Sequence, residues 1–288
     1  MSDRDRLAPV GAYFKMTSGY SSNLRHIFAS LWKNRDLVLQ MTVREVVGRY
    51  RGSMMGLLWS FFNPVLMLVV YTFVFSVVFQ ARWDVNTVGK TDFALLVFTG
   101  MLVHALFAEC INRSSRLVLD NSNYVKKVIF PLEILPWVCM GSAFFHMLIS
   151  VLVLLVAFLI IHHYLNWTII LFPLVIAPFV LFTMGLTWWL AATGVYLRDL
   201  GQITGVLTTV LLFVSPVFYP VAALPKQYQL FFNLNPLTFV IKQVRDILIW
   251  GKPPDWEGLA LYSAIGIATA WAGLFWFQRT RHGFADVI

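Results

Sequence analysis

Residues 52–81 pass without a charged side chain, and immediately before them stand three arginines, Arg44, Arg49 and Arg51. A helix needs about 20 apolar residues to cross the hydrocarbon of a bilayer, so this run spans it with tilt to spare. The basic residues gather at one end only, which sets that end in the cytoplasm. Composition agrees: the 288 residues are 59% hydrophobic and 12% charged, against about 25% charged in soluble domains. The net charge of +8 comes from basic residues scattered through loops between apolar runs. Topology and anionic lipid explain that pattern, and no nucleic-acid partner is expected. Cys110 and Cys139 cannot build a disulfide framework and are expected as free thiols. The first 20 residues are polar and mixed in charge, unlike a signal peptide, so the first span is expected to act as its own insertion signal.

Taken in order, residues 1–22 lack periodicity and read as a flexible cytoplasmic tail. Residues 23–52 form an amphipathic interfacial region. Leu24, Ile27, Phe28, Leu31 and Trp32 share one helical face, and Leu39, Val43, Val46, Val47 and Tyr50 share a second. The first piece lies flat on the inner leaflet in one reading and packs on a soluble partner in the other. Residues 53–280 hold six apolar segments, at 54–80, 93–112, 134–161, 168–197, 200–224 and 258–278, before a cytoplasmic C-terminus at 281–288. With both termini inside, 16 of the 22 lysines and arginines fall on the cytoplasmic side and 6 outside. The turns at 162–167 and 198–199 are short enough to make tight helical hairpins.

Two segments resist the simple alternation of span and loop. In 225–252, Leu237, Val240, Ile241, Val244, Ile247 and Leu248 line one helical face, with Lys242, Arg245 and Asp246 off it. Pro236 suits the first turn of that helix, and Gly251 with Pro253–Pro254 ends it. Two short re-entrant helices on the outer side fit this pattern. Irregular backbone at that depth is tolerated only when buried in protein or lining a cavity, which makes a pore cap. On the inside, the loop 112–131 turns amphipathic through Tyr124, Val125, Lys126, Lys127 and Val128. It is either a solvated loop or a short membrane-parallel helix that receives force from a separate ATPase. The expected fold class is an all-α integral membrane protein with six transmembrane helices, an N-terminal amphipathic interface helix, a cytoplasmic docking helix and the two re-entrant helices.

Catalytic chemistry is sparse. No G-x-x-x-x-G-K-[ST] loop occurs, so no nucleotide cofactor is expected on this chain. His162 and His163 read as an interfacial turn, His104 and His146 as packing histidines, and no metal site is expected. Glu109 is the sharpest intramembrane acid, yet it lies three residues from Asn112 and can reach the interface. With no paired carboxylates or nucleophile constellation, the chain is not expected to be an enzyme. The 25 Phe, 11 Trp and 10 Tyr carry more information. Mid-span rings such as Phe73, Phe75, Phe213 and Phe218 either face lipid and protein or line a conduit whose flat faces meet the C–H faces of sugars. Trp59, Phe62 and Tyr219 complete the conduit candidates.

Several motifs together carry a resemblance. They are N-L-N-P-L at 233–237 with R-D at 245–246, S-P-V-F-Y-P at 215–220, Y-L-R-D-L at 196–200, and N-Y-V-K-K-V-I-F-P-L-E-I-L-P at 123–136. From residue 36 to 283 the chain resembles the membrane permeases of ABC transporters that export O-antigen, capsule and teichoic acid. The resemblance implies a homodimer in the bacterial inner membrane, with two copies of a separate ATPase that carries ATP and Mg. It implies coupling to that ATPase through Asn123, Tyr124, Lys126 and Lys127, with Arg198 and Asp199 in a second contact. The segment 226–250, with Phe231, Phe232, Pro236 and Arg245, becomes an outer gate. The substrate becomes a polysaccharide on undecaprenyl diphosphate or a phospholipid, with O-antigen ranked before capsule and teichoic acid. Arg44, Arg49 and Arg51 suit a lipid diphosphate, or simply anchor the inner end of the first span. The rival functions are an ATP-driven drug exporter and a polytopic glycosyltransferase.

Overall fold

The computed structural model describes residues 31–78, 90–125 and 130–288, and among these every regular element is helical. The expected tail and residues 23–30 of the interfacial region lie outside the described residues. The helices, in order, are α1 (Arg35–Arg49), α2 (Trp59–Tyr71), α3 (Lys90–Ser114), α4 (Ser122–Val125), α5 (Leu135–His162), α6 (Phe172–Tyr196), α7 (Leu200–Val214), α8 (Lys226–Asn233), α9 (Pro236–Leu248), α10 (Trp256–Thr280) and α11 (Phe284–Val287). Among the described residues, five stretches are long and apolar enough to cross a membrane: Gly56–Phe75, Asp92–Ser114, Leu132–His162, Trp167–Tyr196 and Trp256–Val287. The all-α membrane fold is therefore present.

The expected fifth span, 200–224, is shorter than its apolar run. Helix α7 stops at Val214 after 15 residues, about 22 Å at 1.5 Å per residue, short of the roughly 30 Å hydrocarbon core. Pro216 explains the stop, because a residue before proline is driven out of the helical region, and Ser215 sits at φ −90° and ψ 152°. The first span also departs from one uniform helix. It opens with a 3-10 turn at Gly56–Leu58 and passes into a π-helix at Thr72–Val78.

Helix α1 buries Val38, Met41 and Val46, while Leu39, Val43 and Val47 of the expected apolar face stay exposed. A helix lying along the membrane has two apolar neighbours, the protein and the acyl chains, and a single sequence stripe does not distinguish them. Helix α3 is the most enclosed span, with Leu95, Leu96, Val103, Leu106 and Ile111 all buried. Gly100 within it admits Arg245 and Val217, and Gly194 of α6 admits the Ser115 backbone just past the α3 C-terminus. The C-terminus folds back against the bundle. Phe284 is fully buried, Arg281 pairs with Glu133 at 3.0 Å, and the Tyr196 hydroxyl donates to the Thr280 carbonyl.

The tightest helix pair is α6 against α10. A Cβ on Gly185 would stand 2.3 Å from the Thr269 carbonyl oxygen, and one on Gly273 would stand 1.9 Å from the Gly185 carbonyl oxygen. Lipid tails are as apolar as leucine, so close backbone packing through small residues, not burial from water, drives such pairs. Gly273→Ala must therefore push the helices apart, at an expected cost of about 1–3 kcal/mol. Gly48→Ala, where a Cβ meets nothing, should be neutral or slightly stabilising. Thermal unfolding followed by size-exclusion fluorescence compares the two, and an unshifted midpoint for Gly273→Ala contradicts the seam.

Candidate functional site

Two constellations stand at opposite ends of the bundle. At one end, α1 lies against α5, with Thr42 at Gly141, where an added Cβ would be 2.8 Å from the Thr42 Oγ1. Beyond that crossing, Arg49 ion-pairs with Glu109 of α3, and Arg113, one turn further along, reaches the same carboxylate at 3.5 Å and Glu45 at 2.6 Å. An Arg49 Nη1 lies 3.3 Å from His146 Nδ1, and the Tyr50 hydroxyl lies 3.0 Å from His146 Nε2. Guanidinium can only donate, so Nδ1 accepts and the Nε2–H of the neutral ring donates to the tyrosine oxygen. Burial pushes the Tyr50 phenol above its ordinary pKa, which keeps it protonated. His146 and Glu109, expected as an isolated packing residue and an interfacial acid, thus belong to one charged network.

That network forms the polar end of a cavity of about 260 Å³, whose other walls include Asn63, Met67, Tyr71, Phe98 and Leu102. The three arginines of the basic cluster do not converge on it. Arg44 Nη2 donates to the Tyr124 hydroxyl at 2.9 Å, Arg49 enters the network, and Arg51 lies exposed in the turn after α1. Tyr124 stacks on Phe130 with ring centroids 4.3 Å apart, and Asn123 beside it is exposed. Lys126 and Lys127 lie outside the described residues. Arg198 and Asp199 form an exposed turn between α6 and α7. Gly194 and Gly201, flanking that turn, both abut Ser115, so the turn and the loop that carries Tyr124 share one face of the bundle.

The second constellation, at the opposite end, is built on α9. Pro236 opens the helix, capped by Asn235, whose Oδ1 accepts from Leu237 N at 3.0 Å while its Nδ2 donates to Ser215 Oγ at 2.9 Å. At the other end, Asn166 and Thr168 donate to the carbonyls of Ile249 and Ile247, at 3.0 and 2.6 Å, and Gly251 takes φ +63°. These contacts give the N-P-L and S-P motifs, and the turn between α5 and α6, a common purpose.

Arg245 departs from its expected place off the apolar face. It is only 5% exposed and aims inward. Its Nε and Nη2 donate to the Leu96 carbonyl at 3.0 and 2.8 Å, Nη1 to Pro216 at 2.6 Å, and Nη2 also to Val217 at 2.9 Å. Gly100 makes the space, since a Cβ there would come within 2.8 Å of Nη2. Helix α8, by contrast, has no buried residue, and Tyr228, Leu230 and Phe231 are exposed.

The aromatic candidates separate into two groups. Phe218 lies between Phe75 and Phe213 at centroid distances of 6.1 and 6.0 Å, Phe75 continues to Phe93 at 5.3 Å, and Tyr219 meets Phe232 edge-on at 6.1 Å. The Tyr219 hydroxyl donates to the Phe213 carbonyl. These rings make a row from the π-helical end of the first span to the outer helices, while Phe73 is exposed on that span. Trp59 and Phe62 stand apart at its inner end, also exposed. Glu109, His146, Tyr50 and Gly100 were not marked as site residues by the sequence. An ionisable side chain within an apolar run was the available signal for the first two.

A family model described as ABC-2 type transporter matches residues 36–249. The chain is 30% identical over 260 residues to an O-antigen export system permease protein of Myxococcus xanthus, covering 90% of this chain and 97% of that relative. It is 25% identical over 256 residues to the permease of the same name from Klebsiella pneumoniae, covering 88% and 95%. A polysialic acid transport protein of Escherichia coli is 19% identical over 242 residues, covering 83% and 91%.

Replacing Arg245 by methionine strips the donors from Pro216 and Val217 without opening a large void. A buried hydrogen-bonded charge site dismantled in this way costs about 3 kcal/mol. Arg245→Lys should recover only part of that, because one ammonium cannot reproduce the planar fork. Unfolding midpoints in detergent, ordered Arg above Lys above Met, are the expected result, and equal midpoints for all three contradict the assignment.

Proposed function

The chain belongs to the ABC-2 type transporter family, and from that premise we propose that it is the membrane-spanning subunit of an ATP-driven exporter of lipid-linked polysaccharide. The cargo in this reading is O-antigen, and the site is the bacterial inner membrane with both termini cytoplasmic. The observation that carries it is the end-to-end likeness to permeases named for O-antigen export. Capsular polysaccharide is the second reading, favoured by the weaker likeness to the polysialic acid protein.

In this mechanism two copies of the chain form the conduit, and two copies of a separate ATPase supply the force. The segment from Asn123 to Lys127 docks into the ATPase, with Arg198 and Asp199 in a neighbouring contact. The shared face of these two segments at Ser115 supports that pairing. The carrier's phosphate approaches the basic end of the first span, where Arg51 is exposed and Arg49 sits at the mouth of a cavity with apolar walls. The polymer then slides past aromatic faces, which bind sugars weakly and without regard to sequence. The row through Phe75, Phe213, Phe218 and Tyr219 lies toward the exit, and Phe231, Phe232 and the rest of α8 act as the outer gate over the fixed helix α9.

Copurification with the ATPase, followed by hydrolysis assays with and without lipid-linked glycan, tests this reading. Stimulation by lipid-linked O-antigen, and not by a small apolar drug, is the expected outcome. Replacing both Lys126 and Lys127 with glutamate should lower the stimulated rate by about tenfold, equivalent to roughly 1.4 kcal/mol of docking energy, with normal membrane insertion. An unchanged rate removes the docking role.

A further inference from the structure

We propose that helix α1 is a rigid linkage carrying movement of the docking segment to the charged network at the mouth of the inner cavity, with Arg44 and Tyr124 as its positioning residues. The proposal rests on the docking role proposed above. Three attachments on one 15-residue helix carry it. The first is Arg44 to the Tyr124 hydroxyl, 2.9 Å. Because the tyrosine ring is stacked on Phe130 at an interplanar angle of 14°, the phenol cannot leave the arginine by rotation alone. A shift of the docking segment therefore pulls or pushes Arg44.

The second attachment is Glu45 to Arg113 at 2.6 Å, in the last turn of α3. The third is Arg49 to Glu109 and His146, with Tyr50 on the far side of the same imidazole. Arg44 and Arg49 are five residues apart, about 7.5 Å along a helix. Displacement at the first is transmitted to the second because intervening backbone hydrogen bonds keep the helix stiff. The crossing at Thr42 and Gly141 supplies a close contact about which α1 can rock. A helix that only anchored the chain to the inner leaflet would need none of these pairings, since basic side chains reaching toward headgroups suffice for that. Here two of the three arginines face protein partners instead, on the docking segment and on spans α3 and α5.

Movement at Tyr124 is thereby converted into a change at the Arg49–Glu109 pair, the polar end of the cavity. Spatial continuity alone does not establish such coupling, and mutant cycles do. The test uses the full chain with its partner ATPase in lipid nanodiscs. Tyr124→Phe removes the hydroxyl and keeps the ring on Phe130, while Arg44→Gln removes the guanidinium. Each should lower glycan-stimulated hydrolysis roughly three- to tenfold with copurification intact, and the double variant should be no worse than either single one. In the permease alone, hydrogen exchange should rise in both variants over residues 44–50 as well as around Tyr124. Unchanged stimulation, additive losses in the double variant, or faster exchange confined to residues near 124 would each overturn the linkage. Failure of the unaltered chain to bind any ATPase would strike the docking reading, and the exchange measurement on the permease alone would then decide the linkage.

Discussion

A guanidinium buried among apolar helices has to find acceptors, and carbonyls released by a broken helix have to find donors. Arg245 and the end of α7 solve each other's problem. Pro216 stops α7 early and leaves the carbonyls of Pro216 and Val217 pointing inward, where Arg245 takes both. Gly100 keeps the helical Leu96 carbonyl open to the same group. Neither partner would be tolerable alone, because an unpaired charge or an unpaired carbonyl in a dry interior costs several kcal/mol. With Asn235 tied to Ser215 at one end and Asn166 over the other, α9 is held at three points. Helix α8 has no fully buried residue, and only Gln229 and Phe232 are half-buried. It is held more lightly, by Thr238 donating to the Phe232 carbonyl at 2.7 Å and by the edge contact of Phe232 with Tyr219.

The inner end uses charge differently. Its arginines are set against carboxylates, an imidazole and a phenol on neighbouring elements, so the basic residues before the first span also make tertiary contacts. The Glu109 carboxylate occupies the space beside Arg49 that an incoming phosphate would seek, so such a ligand has to compete with it.

Much of the fold was legible because spans advertise themselves. Runs 93–112, 134–161, 168–197 and 258–278 became helices within a few residues of their apolar limits. Pro236 and Gly251 marked α9 for reasons of backbone geometry alone. What escaped depends on partners distant in sequence. Apolar content continues from 200 to 224, so only the hydrogen-bond consequence of Pro216 cuts the helix at Val214. Arg245 lies at the edge of the α9 apolar stripe, and nothing local reveals that Thr238, Gln243 and Arg245 turn inward as well. The seam of Gly185, Gly266 and Gly273 looks like ordinary small residues until the facing backbone is in place. In the basic cluster, type and position were readable, but the sorting of Arg44 to Tyr124 and Arg49 to Glu109 joins residues 80 and 60 positions apart.

The first span poses the remaining physical question, because almost none of it is buried within the chain. Leu66, Met67, Val69, Val70 and Phe73 are exposed, as hydrocarbon would allow. Asn63 is exposed among them, at the rim of the inner cavity. A side-chain amide facing lipid costs several kcal/mol that no neighbour on this helix repays. Facing water, sugar hydroxyls or a second protein surface, it costs little. Helix α7, the short one, is likewise exposed along Ile203, Val206 and Val210, with Gln202 and Thr209 on the outside. Both helices thus keep polar groups on open faces, where water, a sugar hydroxyl or a second protein surface would satisfy them.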